Sequence, residues 1–173
     1  MKRCFLAVAL LGLCVSAFAA GTPKVGDPAP AVEAKDQDGK TFTLAEHAGK
    51  HAVLLYFYPK DETPGCTKQA CGLRDRMGEL EKDGVVVVGV SRDDAASHAK
   101  FRAKHNLNFP LLVDADGKLT ETFGTPMEGR PLSRRVSFLI GTDGKIAAVT
   151  DNRDAQVHLD EMKAAIAKLK APK

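Results

Sequence analysis

The residues best suited to chemistry are two cysteines in the segment PKDETPGCTKQAC, residues 59–71. Thr63 and Pro64 predict the start of a helix, because Thr is a good N-cap and Pro fits the first helical position. Cys66 then lies in the first turn, where free backbone N–H groups and the positive end of the helix dipole favour an anion. Since the thiolate is the nucleophilic form, this position predicts a reactive cysteine rather than a buried apolar one. Gly65 leaves room beside the sulfur for a small substrate.

The second cysteine, Cys71, follows five residues later. On an intact helix the two Cα atoms are roughly 8 to 9 Å apart, whereas a disulfide tolerates about 7 Å. A permanent disulfide over so short a loop would break helix and constrain the unfolded chain little. The spacing therefore favours a reversible disulfide that forms only after the helix opens.

A metal site is the main alternative use of these cysteines. Cys66-x4-Cys71 fits zinc spacing, and His47-x3-His51 could complete four ligands. A helix would splay the two sulfurs apart, which disfavours the site, so we expect no metal. We expect three further histidines to be solvated on helices: His98, His105 and His158.

The N-terminus predicts a secretory signal. Lys2 and Arg3 precede the uncharged apolar run from Cys4 to Val15, and Ala17–Ala19 resembles a cleavage site. The run is short for a membrane-spanning helix of ~20 residues. We therefore expect a signal peptide at residues 1–19, export to the periplasm, and no membrane attachment after cleavage.

The rest of the chain has the composition of one globular domain, residues 20–173. Of all 173 residues, 44% are hydrophobic and 27% charged, and the formal net charge is +3. Without a basic tract or interleaved aromatic residues, the chain lacks the footprint of a nucleic-acid-binding protein. Loss of the signal also removes Cys4 and Cys14, leaving Cys66 and Cys71.

Strand and helix patterns alternate along this domain. A short N-terminal hairpin is predicted at 32–43 around Asp38-Gly39, and strands are predicted at 52–58, 85–90, 111–113, 136–140 and 146–149, the last two flanking Asp143-Gly144. Helices are predicted after Thr63, with an apolar stripe of Ala70, Leu73, Met77 and Leu80, at 94–105, at 118–123, and at the C-terminus, with Leu159, Met162, Ile166 and Leu169 on one face. This alternation indicates an α/β fold with a central mixed sheet covered by helices on both faces and an antiparallel hairpin at one side.

Pro59-x3-Thr63-x2-Cys66 resembles the P-x3-T-x2-C signature of peroxiredoxins, and PGCTKQACGLRD is similar to the bacterioferritin comigratory protein, or PrxQ, subgroup. The likeness begins at GDPAP, residues 26–30, and returns at RVSFLIGTDGKI, residues 135–146. It implies a thioredoxin-like fold of the peroxiredoxin type.

The resemblance also implies roles for five residues. Cys66 would attack hydrogen peroxide or an organic hydroperoxide to give sulfenic acid, and Cys71 would resolve it into an intramolecular disulfide. Thr63 would hydrogen-bond substrate and sulfur, Pro59 would shield the site from water, and Arg135 would stabilise developing charge, with Arg134 facing the other way along a strand. No cofactor is implied. Thioredoxin or a periplasmic thioredoxin-like dithiol would return the electrons, and the chain would be a monomer.

Two other functions compete with the peroxidase. An exported protein of this fold could hold copper through two cysteines and a histidine, and a general thiol–disulfide oxidoreductase is the third possibility. Thr63 and Arg135 favour the peroxidase, because a peroxide transition state needs both, a copper site needs neither, and disulfide exchange typically uses C-x2-C.

Overall fold

The computed structural model describes residues 21–170. Its strands are β1 Glu33–Lys35, β2 Thr41–Thr43, β3 Ala52–Phe57, β4 Val85–Ser91, β5 Leu111–Val113, β6 Val136–Ile140 and β7 Ile146–Asp151. Its helices are α1 Pro64–Arg74, α2 Met77–Lys82, α3 Ala95–His105, α4 Lys118–Thr122 and α5 Ala155–Lys170, with a short 3₁₀ turn at Leu44–His47. The predicted signal peptide lies outside the described residues.

Five strands form the predicted mixed sheet, in the order β5-β4-β3-β6-β7. β3 runs parallel to β4, and β4 to β5, whereas β6 is antiparallel to both β3 and β7. The β6–β7 hairpin therefore lies at one side of the sheet, and β1 pairs with β2 in a separate two-stranded hairpin. The mixed sheet, the hairpin at its side and the separate N-terminal hairpin agree with the sequence prediction.

The central strand β3 is buried on both faces because its side chains alternate between two apolar clusters. Leu54 and Tyr56 pack in one cluster with residues of α1, α2 and α5. Val53, Leu55 and Phe57 pack in the other, with residues of α4 and the chain before β1. Helices thus cover both faces, and the loop of residues 58–63 joins the end of β3 to the start of α1.

Two details of the predicted helices are wrong. The stripe after Thr63 is buried as expected, but the helix breaks at Arg76, whose φ of −102° and ψ of 1° separate α1 from α2. The Arg76 guanidinium donates to the carbonyl of Leu159 in α5 at 2.9 Å, a tertiary contact that local periodicity does not encode. Leu169, expected in the core, is 43% exposed because it lies in the last turn of α5.

No helix in residues 21–170 combines the length and the apolar character that crossing a bilayer requires.

Candidate active site

Cys66 lies where the sequence places it, in the first turn of α1. The first helical hydrogen bond runs from the Thr67 N–H to the Thr63 carbonyl at 2.8 Å, so the N–H groups of Gly65 and Cys66 precede the helical ladder. The sulfur is enclosed, since Cys66 is 2% exposed and packs in the same cluster as Tyr56. An enclosed sulfur beside free N–H donors suits a small substrate and a reaction in which negative charge develops.

Arg135 brings a fixed positive charge to this sulfur. Its Nη2 donates to Cys66 Sγ at 3.4 Å, its Nη1 to Gln69 Oε1 at 2.6 Å and its Nε to the Arg153 carbonyl at 3.1 Å. A Cβ added to Gly65 would lie 2.9 Å from Arg135 Nη2. The space beside the sulfur, expected to admit substrate, is therefore where the guanidinium lies.

The neighbouring Arg134 points away from the sulfur, because successive side chains entering a strand face opposite sides. Its guanidinium forms an ion pair with Asp151 and donates to the Gly124 carbonyl at 2.9 Å. Of the two arginines, the structure thus places Arg135 at Cys66.

Thr63 and Pro59 lie on the loop between β3 and α1. Thr63 occupies the N-cap position with extended backbone, but its hydroxyl makes no capping bond. It donates instead to the Lys60 carbonyl at 3.0 Å, so the lone pairs of Oγ1 are left to accept a hydrogen bond from another group. Pro59 is half-buried at the end of β3.

A buried ion pair fastens this loop to α3. His98 Nδ1 lies 2.9 Å from Asp61 Oδ2, and its Nε2 lies 3.1 Å from the Leu112 carbonyl. Each ring nitrogen of His98 therefore faces an acceptor, one a carboxylate oxygen and the other a backbone carbonyl. Ser97 and Tyr58 also donate to the Asp61 carboxylate, at 2.7 and 2.8 Å. Burial alone raises the pKa of Asp61, but these hydrogen bonds and the charge of His98 outweigh it and lower the pKa below its usual value of 3.8.

The adjacent Glu62 adds a second tie to α3. Its backbone has a φ of 61°, in the left-handed region that a glutamate rarely occupies. Lys104 Nζ holds its carboxylate at 2.5 Å. The loop that presents Thr63 is therefore held in an unfavourable backbone conformation by contacts with α3.

Cys71 is half-buried on the same continuous helix as Cys66, and both thiols are free. At five residues' separation the Cα atoms are about 8 to 9 Å apart, so the sulfurs cannot bond while α1 is intact. The structure therefore describes the reduced, folded form of the site.

The expectation that His98 and His158 are solvated is wrong, since they are 0% and 1% exposed. Each is satisfied by hydrogen bonds from distant parts of the chain, which makes burial of a polar ring tolerable. His105 is half-buried beside Glu62, with its Nε2 at 3.4 Å from the carboxylate.

Sequence reasoning also missed Gln69 and Ser137. Gln69 follows Cys66 by three residues, so it shares its helix face. Ser137 follows Arg135 by two residues, so it shares its strand face. Both positions were therefore readable once Cys66 and Arg135 were chosen. Gln69 Nε2 donates to Ser137 Oγ at 3.3 Å, and His158 lies behind Ser137.

The histidines of the zinc alternative lie far from the cysteines. His47 and His51 precede β3, whereas Cys66 follows it, and six residues of strand span about 20 Å. The two rings lie beside a separate cavity of about 410 Å³. Within residues 21–170, no group of three or more His, Cys, Asp or Glu side chains could hold a metal ion.

Comparisons with known proteins identify the family of the chain. Residues 25–149 match the model of the AhpC/TSA family. Over 143 residues the chain is 46% identical to "Peroxiredoxin Bcp" of Escherichia coli, covering 79% of this chain and 91% of that protein. It is 41% identical over 138 residues to "Peroxiredoxin Q, chloroplastic" of Populus jackii, covering 79% of this chain and 64% of that protein.

Solved structures give the same result. Peroxidoxin BcpB of Mycobacterium tuberculosis has a TM-score of 0.80 at 33% identity, covering 86% of this chain and 99% of that one. Peroxiredoxin Q of Xanthomonas campestris has a TM-score of 0.73 at 34% identity, covering 79% and 90%. The fold is therefore the thioredoxin-like fold of peroxiredoxins. This chain belongs to the AhpC/TSA family, among the peroxiredoxins of the Bcp/PrxQ group.

Proposed function

We propose that the protein is a thiol-dependent peroxidase that reduces hydrogen peroxide and organic hydroperoxides with Cys66 as the attacking nucleophile. The observation that carries this proposal is the contact of 3.4 Å between Arg135 Nη2 and the Cys66 sulfur at the start of α1. A cation and free N–H groups at one sulfur stabilise both the thiolate and the oxygen charge that develops as an O–O bond breaks.

In the first step the thiolate attacks the terminal oxygen of the peroxide, the S–O bond forms and the O–O bond breaks. The products are the sulfenic acid and an alkoxide or hydroxide, which takes a proton and leaves as alcohol or water. Thr63 Oγ1, whose own proton goes to the Lys60 carbonyl, accepts a hydrogen bond from the peroxide O–H. Pro59, at the end of β3, limits the access of water.

In the second step the Cys71 thiol attacks the sulfenic sulfur, forming a disulfide and releasing water. This step requires α1 to unwind between the two cysteines. A dithiol then reduces the disulfide by thiol–disulfide exchange, which returns the two electrons. Peroxiredoxins use thioredoxin-type reductants, and a reductant of this class is the partner we propose.

The name of one similar structure supports the breadth of substrate. The bacterioferritin comigratory protein of Xanthomonas campestris, 33% identical with a TM-score of 0.72, is described by its alkyl peroxide reduction activity. Neither the comparisons nor the site geometry gives any support to the copper-carrier alternative.

The decisive experiment follows peroxide consumption with thioredoxin, thioredoxin reductase and NADPH present in excess. We expect steady turnover by the wild-type protein and background consumption by Cys66→Ser. Turnover by Cys66→Ser at the wild-type rate would refute the assignment. Copper binding by the wild-type protein that is lost in Cys66→Ser, with no peroxide consumed by either, would also refute it.

We further propose that residues 1–19 direct export and that the mature domain begins at Ala20. The mature protein would work in the periplasm as a monomer, with a thioredoxin-like reductant of that compartment. The charged start, apolar run and small residues at Ala17–Ala19 support this. N-terminal sequencing of protein recovered from a periplasmic fraction is expected to start near Ala20. Recovery from the cytosol with Met1 retained would contradict export, and a dimer mass in light scattering would contradict the monomer.

A further inference from the structure

A chain of buried hydrogen bonds runs from the arginine at the active site to a histidine on α5. Arg135 Nη1 donates to Gln69 Oε1 at 2.6 Å, and Gln69 Nε2 donates to Ser137 Oγ at 3.3 Å. Ser137 Oγ lies 2.8 Å from His158 Nδ1, and His158 Nε2 lies 2.8 Å from the Asn152 carbonyl. The four side chains are between 1% and 9% exposed, so water does not compete for these bonds.

The two ends of this chain fix the direction of three of its four bonds, and the tautomer of His158 sets the fourth, between Ser137 and His158. Arg135 can only donate, so Gln69 presents its oxygen to it and its nitrogen to Ser137. The Asn152 carbonyl can only accept, so His158 carries a proton on Nε2. Ser137 Oγ accepts from Gln69, and a neutral ring protonated on Nε2 leaves Nδ1 bare to accept the hydroxyl proton of Ser137. A neutral imidazole protonated on Nε2 satisfies every group.

We propose that His158 is a positioning residue for the peroxidase reaction: as the neutral Nε2–H tautomer it holds Ser137 and Gln69, and through them aims Arg135 at the Cys66 sulfur. This inference rests on the proposed function. When His158 becomes protonated, two donors face Ser137 Oγ, and the hydroxyl proton loses its acceptor. The bond between Gln69 and Ser137 then weakens, and the arginine is no longer held from that side.

The charges around the ring support a neutral imidazole at pH 7. Burial is the largest effect and lowers the pKa of His158 below 6.5, and the charge of Arg135 on β6 lowers it further. The hydrogen bond to Asn152, Glu161 on α5 and Asp151 on β7 act in the opposite direction without reversing the shift. The imidazole is therefore neutral at pH 7 and takes up a proton in acid.

The loop between β7 and α5 connects His158 to Arg135 a second time. Arg135 Nε donates to the Arg153 carbonyl at 3.1 Å, next to the Asn152 carbonyl that accepts from His158. The backbone between β7 and α5 thus receives one donor from each residue, so movement of His158 also shifts an acceptor used by the arginine.

Two substitutions separate the two functions of the ring. His158→Asn keeps an acceptor near the position of Nδ1 but loses the donor to Asn152, whereas His158→Gln keeps a donor near Nε2 but loses the acceptor for Ser137. Ser137→Ala removes the link itself. Ser133→Ala is the matched control, since Ser133 is also fully buried but its hydroxyl bonds Thr120.

The assay is the second-order rate constant for hydrogen peroxide, measured by competition from pH 5 to 8. At pH 7 we expect His158→Gln and Ser137→Ala to lose about tenfold, the cost of a partly misaligned catalytic group, and His158→Asn to lose less than either, because it keeps an acceptor for Ser137. Ser133→Ala should stay near wild type. In acid, the wild-type rate should fall more steeply than that of His158→Asn, because His158 takes up a proton in the wild-type protein and is absent from the variant. An equally steep fall in acid for the wild-type protein and His158→Asn, or full activity of both His158→Gln and Ser137→Ala, would overturn the proposal.

An independent measurement needs neither activity nor a variant. Nitrogen-15 NMR of histidine-labelled reduced protein at pH 7 is expected to show His158 as the neutral Nε2–H tautomer. The Nδ1–H tautomer or an imidazolium would overturn the relay even if peroxide is consumed. If the wild-type protein consumes no peroxide while NMR shows the expected tautomer, the proposed function fails and the hydrogen-bond chain stands without its catalytic role.

Discussion

A single added methyl group at Gly65 tests whether the position of Arg135 controls the reaction. In Gly65→Ala the new Cβ would lie 2.9 Å from Arg135 Nη2. Nonbonded atoms of this size pack best at about 3.5 Å or more, so the guanidinium must move by roughly half an ångström or more. It cannot move freely, because Gln69 and the Arg153 carbonyl hold its other nitrogens. The contact with Cys66 Sγ is therefore the one that lengthens.

The expected loss of rate lies between the loss caused by a small misalignment of the Arg135 guanidinium and the loss caused by its removal. A misplacement of about 1 Å can cost about 100-fold, and removal of one charge-stabilising donor costs about 100- to 1,000-fold. We expect Gly65→Ala to lower the second-order rate constant for hydrogen peroxide by about 10- to 100-fold, or about 1.4 to 2.7 kcal/mol of transition-state stabilisation. The assay is competition for hydrogen peroxide with reduced protein at pH 7.

Gly78→Ala is the matched control, since Gly78 lies on α2 and an added Cβ there meets nothing within 4 Å. It should keep the wild-type rate and raise the free energy of unfolding by up to about 1 kcal/mol. In an Arg135→Ala background, Gly65→Ala should cost nothing further, because the residue it displaces is gone. An undiminished rate for Gly65→Ala, or an equal loss in both backgrounds, would refute the reasoning.

Three further predictions follow from the site. Arg135→Ala should slow the peroxide step about 100-fold or more in the same competition assay. Arg134→Ala should change the rate little, because it loses only an ion pair with Asp151 away from the sulfur. Equal losses in the two variants would mean that the wrong arginine was chosen. Cys71→Ser should reduce one equivalent of peroxide and accumulate sulfenic acid, which a second equivalent converts to sulfinic acid, as measured by intact mass. A disulfide within that chain would contradict this prediction. The lowered pKa of Asp61 means that the native state holds its proton less tightly than the unfolded chain, so stability present above about pH 4 should be lost as pH falls through the native pKa. Asp61→Asn should lower the free energy of unfolding by about 3 kcal/mol at pH 7 and flatten that acid dependence in urea titrations, and an unchanged dependence would argue against the ion pair.

The elements around the site were predictable because their signals are local. β3 is an uninterrupted apolar run, and Asp143-Gly144 marks the β6–β7 hairpin, so both could be read from the sequence. The position of Cys66 followed from the Thr63-Pro64 helix start. Arg135 was chosen by resemblance, and strand alternation then separated it from Arg134.

What the sequence could not predict depends on partners distant along the chain. His98 is buried because Asp61, 37 residues earlier, provides its counter-charge, and His158 is buried because Ser137 lies 21 residues before it. Helical periodicity places both rings on helices but says nothing of what faces them. The break at Arg76 likewise depends on a carbonyl 83 residues away.

The most direct test of the account adds one equivalent of hydrogen peroxide to reduced protein that begins at Ala20, in which Cys66 and Cys71 are the remaining cysteines. Intact mass and peptide mapping then identify the product. The account predicts the loss of two hydrogen atoms and a disulfide joining Cys66 to Cys71 within one chain. Unchanged mass, or a stable oxidised Cys66 with Cys71 still a free thiol, would contradict it.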